Sequence, residues 1–180
     1  MNKIILYEGN LQFEFIGYDN AVNFDNHDTN PHGLEPVDFV AENNDCLYFI
    51  EVKDYQHPNP KAIEKRAENR KILIEAAKKK GEEGALFCHK MGSKIKDSLL
   101  RKCASGDIAV GFTRKIIYLL FINFDNFGET ERGLLKTRIS SHVPIGLKNS
   151  RFGLFPQMSF ELVNAEQLKT YGIICTVKNS

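Results

Sequence analysis

Between Lys115 and Phe124 the chain reads Lys-Ile-Ile-Tyr-Leu-Leu-Phe-Ile-Asn-Phe, an almost unbroken apolar run. It is far shorter than the ~20 residues needed to cross a bilayer. Such a run predicts a strand buried on both faces at the centre of a sheet, so the rest of the chain must supply neighbouring strands and covering layers. Apolar residues are also dense from Ile4 to Tyr7 and from Leu11 to Ile16, and Glu8-Gly9-Asn10 between them offers a turn, which predicts a hairpin. In its second arm Leu11, Phe13 and Phe15 alternate with Gln12 and Glu14, which places Glu14 on the polar face of a half-buried strand. Residues 19–36 are rich in Asp, Asn, His, Gly and Pro and read as a loop. Pro36 to Ala41, then Glu42 to Asp45, then Cys46 to Lys53 read as strand, turn and strand, a second hairpin.

Helical stretches alternate with the later strands. From Lys61 to Lys80 there is no Gly or Pro and much Ala, Lys and Glu, which predicts a helix with Ile63, Ala67, Ile74 and Ala77 in its buried stripe. Gly81 and Gly84 break that run, and a second helix is expected from Ser93 to Cys103, with Ser93 as its cap. Glu129–Ser141 reads as a helix, Met158–Val163 as a strand, Ala165–Tyr171 as a short helix and Ile173–Val177 as a last strand. The expected architecture is α/β, a central mixed β-sheet flanked by helices on both faces. With 180 residues and no repeat, low-complexity tract or Ser/Pro-rich linker, a single domain over residues 1–180 is expected.

Charge is distributed unevenly. Residues 1–60 carry 2 Lys/Arg against 11 Asp/Glu, net −9, and residues 61–115 carry 15 against 7, net +8. An acidic part that gathers a cation and a basic part that lies along an anionic polymer would give this pattern, and so would a solvated helix face. The four cysteines are widely spaced, with no C-x-x-C pair for zinc or redox work, and are expected to be reduced and mostly buried. The opening Met1-Asn2-Lys3-Ile4 has no signal-peptide layout, so a cytoplasmic, membrane-free protein is expected.

The chemistry concentrates between Asp38 and Lys53. Glu51 and Lys53 end the strand Leu47-Tyr48-Phe49-Ile50 two residues apart, hence on one face. If the second hairpin forms, Asp38 lies roughly opposite Glu51 and two carboxylates converge. Such a pair can hold Mg²⁺, which prefers hard oxygen ligands, keeps several waters and often takes only one or two protein carboxylates. Lys53 beside that cation could orient an attacking water and offset charge growing on a phosphate. The alternative for the same residues is a cross-strand ion pair with a spectator aspartate, a contact contributing about 0–1 kcal/mol when exposed.

Glu35-Pro36-Val37-Asp38, twelve intervening residues and then Glu51-Val52-Lys53 resembles the signature of the restriction-endonuclease-like nuclease superfamily, P-D…(D/E)-x-K. The resemblance is close over about residues 35–55 and elsewhere extends only to the order of elements. It implies that Asp38 and Glu51 bind the metal, that Val52 gives a backbone carbonyl and that Lys53 serves the attacking water. It further implies a nuclease that hydrolyses phosphodiester bonds of DNA with Mg²⁺, for which Mn²⁺ would substitute, or else a scaffold that has lost turnover and binds nucleic acid or protein. In the superfamily the core usually opens with a helix whose acid completes the metal site; here residues 4–16 read as strands, and Glu14 or Glu8 is the stand-in. Lys61, Lys65, Lys94, Lys96, Arg101 and Lys102 are the candidates for phosphate contacts. Enzymes that cut both strands often act as symmetric dimers, so a homodimer is the assembly to look for.

Other conspicuous residues have plainer readings. His27, Asp28 and His32 suit a polar turn better than a metal site, and His57 a surface loop. Asp54 reads as a strand end. The Gln167-x-x-x-Tyr171 spacing, also seen in one branch of the superfamily, stands too far from Lys53 to match it. Phe121, Phe124 and Phe127 read as core.

Overall fold

A computed structural model describes residues 2–25, 33–108, 112–125, 127–144 and 158–178. The elements run β1 (Lys3–Glu8), β2 (Leu11–Ile16), β3 (Asn20–Asn23), β4 (Phe39–Glu42), β5 (Cys46–Asp54), α1 (Pro60–Lys78), α2 (Glu82–Ala104), β6 (Lys115–Asn123), α3 (Glu129–Ser140), β7 (Met158–Val163), α4 (Ala165–Lys169) and β8 (Ile173–Val177). A five-stranded sheet has the order β3-β4-β5-β6-β7, and a three-stranded sheet the order β1-β2-β8. β3, β4 and β5 are antiparallel while β5, β6 and β7 are parallel, so the larger sheet is mixed. The apolar run at 115–124 is β6, flanked by β5 and β7, with Tyr118, Leu119 and Leu120 fully buried.

Alternating residues of the large sheet serve two separate cores. Val40, Leu47, Phe49, Ile116, Tyr118 and Leu120 point into one that includes Leu73 of α1, Met91 and Ile95 of α2 and Leu135 of α3. Phe39, Ala41, Tyr48, Ile50, Leu119 and Phe121 point into the other, with Leu11, Phe13 and Phe15 of β2, Leu168 of α4 and Ile173 of β8. The expectation of helices on both faces holds unequally: α1–α3 cover one face, and on the other the covering layer is mainly the three-stranded antiparallel sheet, with the five-residue α4 beside it. The cause lies in β2, whose apolar face needs a partner and finds it in the rear of the large sheet, where Phe13 meets Phe39 and Phe121 at ring-centroid distances of 5.1 and 5.7 Å.

Local chemistry sets the boundaries. Gly9, at φ +57°, makes the β1–β2 turn that the sequence suggested. Asn59 caps α1 by accepting the Lys61 N–H, Pro60 occupies the first turn, and the helix ends at Lys79 in the left-handed region. Its buried residues are Leu73, Ala76 and Ala77, whereas Ile63 is 51% exposed and Ala67 is also exposed, so the predicted stripe is right only near its C-terminal end. The first turns of α1 project past the core, which explains the difference.

Two further expectations change. The segment 19–36 contains β3, which pairs with β4 because Ala21 is buried against the second core. The second helix begins at Glu82, not at a Ser93 cap: Ser93 is internal and Gly84 lies inside the helix. A Cβ on Gly84 would stand 2.5 Å from the Ala76 backbone nitrogen, so this glycine is what lets α2 cross α1 closely. All four cysteines are free, Cys46 and Cys88 buried and Cys103 exposed, so burial is less general than expected. Among the described residues no helix is long and apolar enough to cross a membrane. His27, Asp28 and His32 lie outside the described residues.

Candidate active site

The hairpin β4–β5 brings Asp38 and Glu51 together. Phe39 pairs with Ile50, so the register carried one step outward sets Asp38 against Glu51, both facing the helical layer. Asp38 Oδ2 accepts the Val52 backbone N–H at 2.6 Å, fixing the aspartate to the strand that carries the glutamate. Because a strand residue points its N–H and C=O to the same edge, the Val52 carbonyl emerges on the Asp38 side, beyond the end of the β4 ladder.

Glu51 is wholly buried, and among the described residues Lys94 is the other buried charged side chain. Lys53 Nζ donates to Glu51 Oε1 at 2.5 Å, as the two-residue spacing predicts. Lys94 Nζ, from the middle of α2, stands 3.2 Å from Glu51 Oε2, close enough for an ion pair but not aligned as a hydrogen bond, which leaves Oε2 a buried acceptor without a donor. Burial pushes the Glu51 carboxyl up to about 7, the Asp38 charge adds to the rise, and the two ammonium groups oppose it. For Lys53, burial would lower the value, but Glu51, with Asp38 and Glu8, outweighs it and holds the ammonium above its ordinary range. Glu8, at the end of β1, is itself raised by desolvation first and by Asp38 second, with Lys53 opposing. Tyr118 senses the cluster from the same core: it is fully buried, donates to the Met91 carbonyl at 3.0 Å and has its hydroxyl raised by burial and then by the charges of Glu51 and Asp38.

The predicted residues thus separate into groups. Asp38, Glu51, Val52 and Lys53 come together. Glu14 does not join them: it lies on the outward face of the smaller sheet, 2.9 Å from Lys3, and Glu8 is the N-terminal acid that senses the cluster. Lys94 is corrected from a surface phosphate contact to a buried member of the site, 7% exposed. Lys61 and Lys65 are exposed at the start of α1, where they line a cleft with His57 and Asn59, and Lys96 is exposed on α2. Arg101 donates to the Phe24 carbonyl at 2.6 Å and stacks on the Phe24 ring, and Lys102 pairs with Asp107 at 2.9 Å; both serve the fold. Asp54 Oδ1 accepts from the Gln56 N–H and from Asn123, as a strand end does. Gln167 completes the capping box of α4 and Tyr171 accepts the Tyr18 hydroxyl through its carbonyl, so that spacing is structural.

No protein-family model, curated protein or solved structure matches this chain.

The chemistry must then follow from the residues themselves. Burying a carboxylate costs several kcal/mol, and packed apolar residues in place of a whole buried ion group are often as stable or more so, so the Glu51–Lys53–Lys94 cluster is not explained by stability alone. Titratable groups kept under such conditions concentrate at functional sites. Among the described residues there is no group of three or more His, Cys, Asp or Glu arranged around one point, so the site offers two carboxylates and a backbone carbonyl. That set fits Mg²⁺, which takes one or two carboxylates and fills its remaining positions with water and substrate oxygens, and the donorless Glu51 Oε2 shows that the two lysines leave carboxylate capacity unused. Sequence reasoning missed Ser98 and Tyr118, gave Lys94 a surface role in place of a buried one, and offered Glu8 only as a stand-in beside Glu14. A signal for Lys94 existed: once α2 is taken from residue 82, it falls between Met91, Ile95 and Ser98 on the apolar stripe, where an unpaired lysine is out of place.

Proposed function

We propose that the chain is a metal-dependent nuclease of the restriction-endonuclease-like type, hydrolysing phosphodiester bonds of DNA. The observation that carries the reading is the apposition of Asp38 and Glu51 across a hairpin, with Lys53 on the same face and bonded to Glu51. Asp38, Glu51 and the Val52 carbonyl would hold Mg²⁺, with Mn²⁺ as its substitute in vitro. The bound ion would supply Lewis acidity toward a phosphoryl oxygen and lower the pKa of a coordinated water. Lys53, released from Glu51, would orient the attacking water and offset charge on the phosphorane-like transition state. The Val52–Asp38 bond keeps the aspartate from turning toward solvent. Lys61, Lys65 and Lys96 would hold flanking phosphates by charge alone, without reading sequence.

The β5–α1–α2–β6 crossover and the order of a hairpin before it support the family assignment, while the strands at residues 3–16 depart from its usual opening helix. One observation favours a second reading, a binding scaffold without turnover: two ammonium groups stand within ion-pair distance of Glu51 at once, where a cation would have to compete with them. Incubating the protein with labelled DNA and Mg²⁺ or Mn²⁺ separates the two. Cleavage abolished by Asp38→Ala, Glu51→Ala and Lys53→Ala supports the nuclease; cleavage unchanged in all three defeats the assignment, and binding equal with and without metal in a protein that never cleaves supports the scaffold.

A further inference from the structure

One face of α2 is bonded to three successive backbone positions. Asp97 Oδ2 accepts the Glu35 N–H at 3.0 Å, Lys94 Nζ donates to the Pro36 carbonyl at 3.1 Å, and Ser98 Oγ accepts the Val37 N–H at 2.9 Å. Lys90 also pairs with the Glu35 carboxylate at 3.0 Å. Ser98 Oγ in turn donates to the Lys94 backbone carbonyl at 2.8 Å, which ties the hydroxyl to the helix one turn back and orients it toward the Val37 N–H. The next residue along the held segment is Asp38. Lys94 and Ser98 are both in the buried layer, so these bonds are made out of water, where an unmade one would leave a stranded polar group.

Lys94 therefore touches both halves of the carboxylate pair's support: the Pro36 carbonyl two residues before Asp38, and Glu51 Oε2 on the neighbouring strand. Lys53 differs, since it reaches Glu51 from two residues away on the same strand and is one-quarter exposed at its side chain. From this geometry we infer that Lys94, together with Ser98 which holds the next backbone position, is a positioning residue that sets the Asp38–Glu51 separation, whereas Lys53 is the exchangeable ammonium that gives way when a cation enters. The inference rests on the reading of the two carboxylates as a divalent-cation site.

Charge and position predict opposite results, which makes the test decisive. Removing a positive charge beside a cation site should tighten cation binding if charge were all that mattered. Mn²⁺ affinity is measured by electron paramagnetic resonance on the full chain, together with amide exchange at Val37 and Val52, for Lys94→Met, Lys53→Met and Ser98→Ala. Lys94→Met is expected to weaken Mn²⁺ binding about tenfold, the size of effect seen when a group supporting a metal ligand is lost. It is also expected to speed exchange at Val52, while Lys53→Met tightens Mn²⁺ and leaves that amide protected. Ser98→Ala, which changes no charge, is expected to weaken Mn²⁺ and speed Val52 exchange in the same direction, and it decides the matter if Lys94→Met does not fold. Mn²⁺ tightened in Lys94→Met, or Val52 protection unchanged in Lys94→Met and Ser98→Ala, overturns the inference. If the parent chain takes no Mn²⁺, the cation reading fails by itself, and Val52 exchange alone then decides for or against the positioning role.

Discussion

The Asp38 carboxylate takes the Val52 N–H at 2.6 Å, so the acid on one arm of the hairpin is fastened to the backbone beside the acid on the other. In the proposed site Asp38 would serve the fold through Oδ2 and the cation through its other oxygen, and its variants should divide accordingly. Asp38→Ala is expected to lower Mg²⁺-dependent DNA cleavage by at least about 10²-fold. Loss of the bond to Val52 should also destabilise the fold by about 1–3 kcal/mol. Parallel cleavage and thermal-unfolding measurements check this, and full activity in a destabilised variant would leave Asp38 only its structural role.

The buried glutamate makes stability depend on pH in a direction that can be worked out. Its ordinary value is 4.5 and its folded value is about 7, so between these the folded protein keeps a proton that the unfolded chain releases. Stability contributed by the proton is fully present below pH ~4.5 and is lost as pH rises toward 7, by something on the order of 3 kcal/mol. Chemical denaturation from pH 4.5 to 7.5 should show this decline in the parent chain and a much flatter profile in Glu51→Gln. Added Mn²⁺ should oppose the decline, because the cation favours the ionised carboxylate. A parent profile as flat as that of Glu51→Gln would contradict the assignment.

How much of this was legible in the chain itself depends on which residues carry the information. The hairpin and its Glu51-x-Lys53 ending were legible because strand periodicity and turn chemistry are local, and the β6 run because a doubly buried strand needs no partner to be recognised. The layer behind the sheet was not, since the pairing of β2 with β8 joins residues about 160 positions apart in the chain, as in Phe13 with Cys175. The start of α2 is not legible because Gly84 reads as a helix breaker; its role, close approach to the Ala76 backbone, exists only once α1 is beside it. With the helix frame wrong, Lys94 reads as a surface contact for phosphate, and the bond network around residues 35–37 is invisible.

Gly84 should therefore be sensitive to the smallest side chain. Gly84→Ala improves helix propensity, but its methyl would meet backbone at 2.5 Å, so a net loss of about 1–3 kcal/mol is expected. Thermal unfolding checks the sign; a stabilised variant would mean that α1 and α2 separate without cost.

The basic residues should also divide by environment. Lys61→Ala and Lys65→Ala are expected to weaken DNA binding similarly for all sequences, each reducing the salt dependence by a slope of about 1. Arg101→Ala, which removes a group packed on Phe24, should lower stability with little effect on that slope. Fluorescence anisotropy across a salt series, with melting temperatures alongside, distinguishes the two classes, and equal slopes in all three variants would place the DNA path elsewhere.

The central claim is that Asp38 and Glu51 share one divalent ion. Diffraction from crystals soaked in Mn²⁺, recorded at the manganese absorption edge, tests it most directly. The account predicts an anomalous peak between the two carboxylates and within reach of the Val52 carbonyl, with the Lys53 ammonium moved off Glu51. Crystals saturated with Mn²⁺ that show Lys53 and Lys94 still closed on Glu51 and no peak beside Asp38 would contradict it.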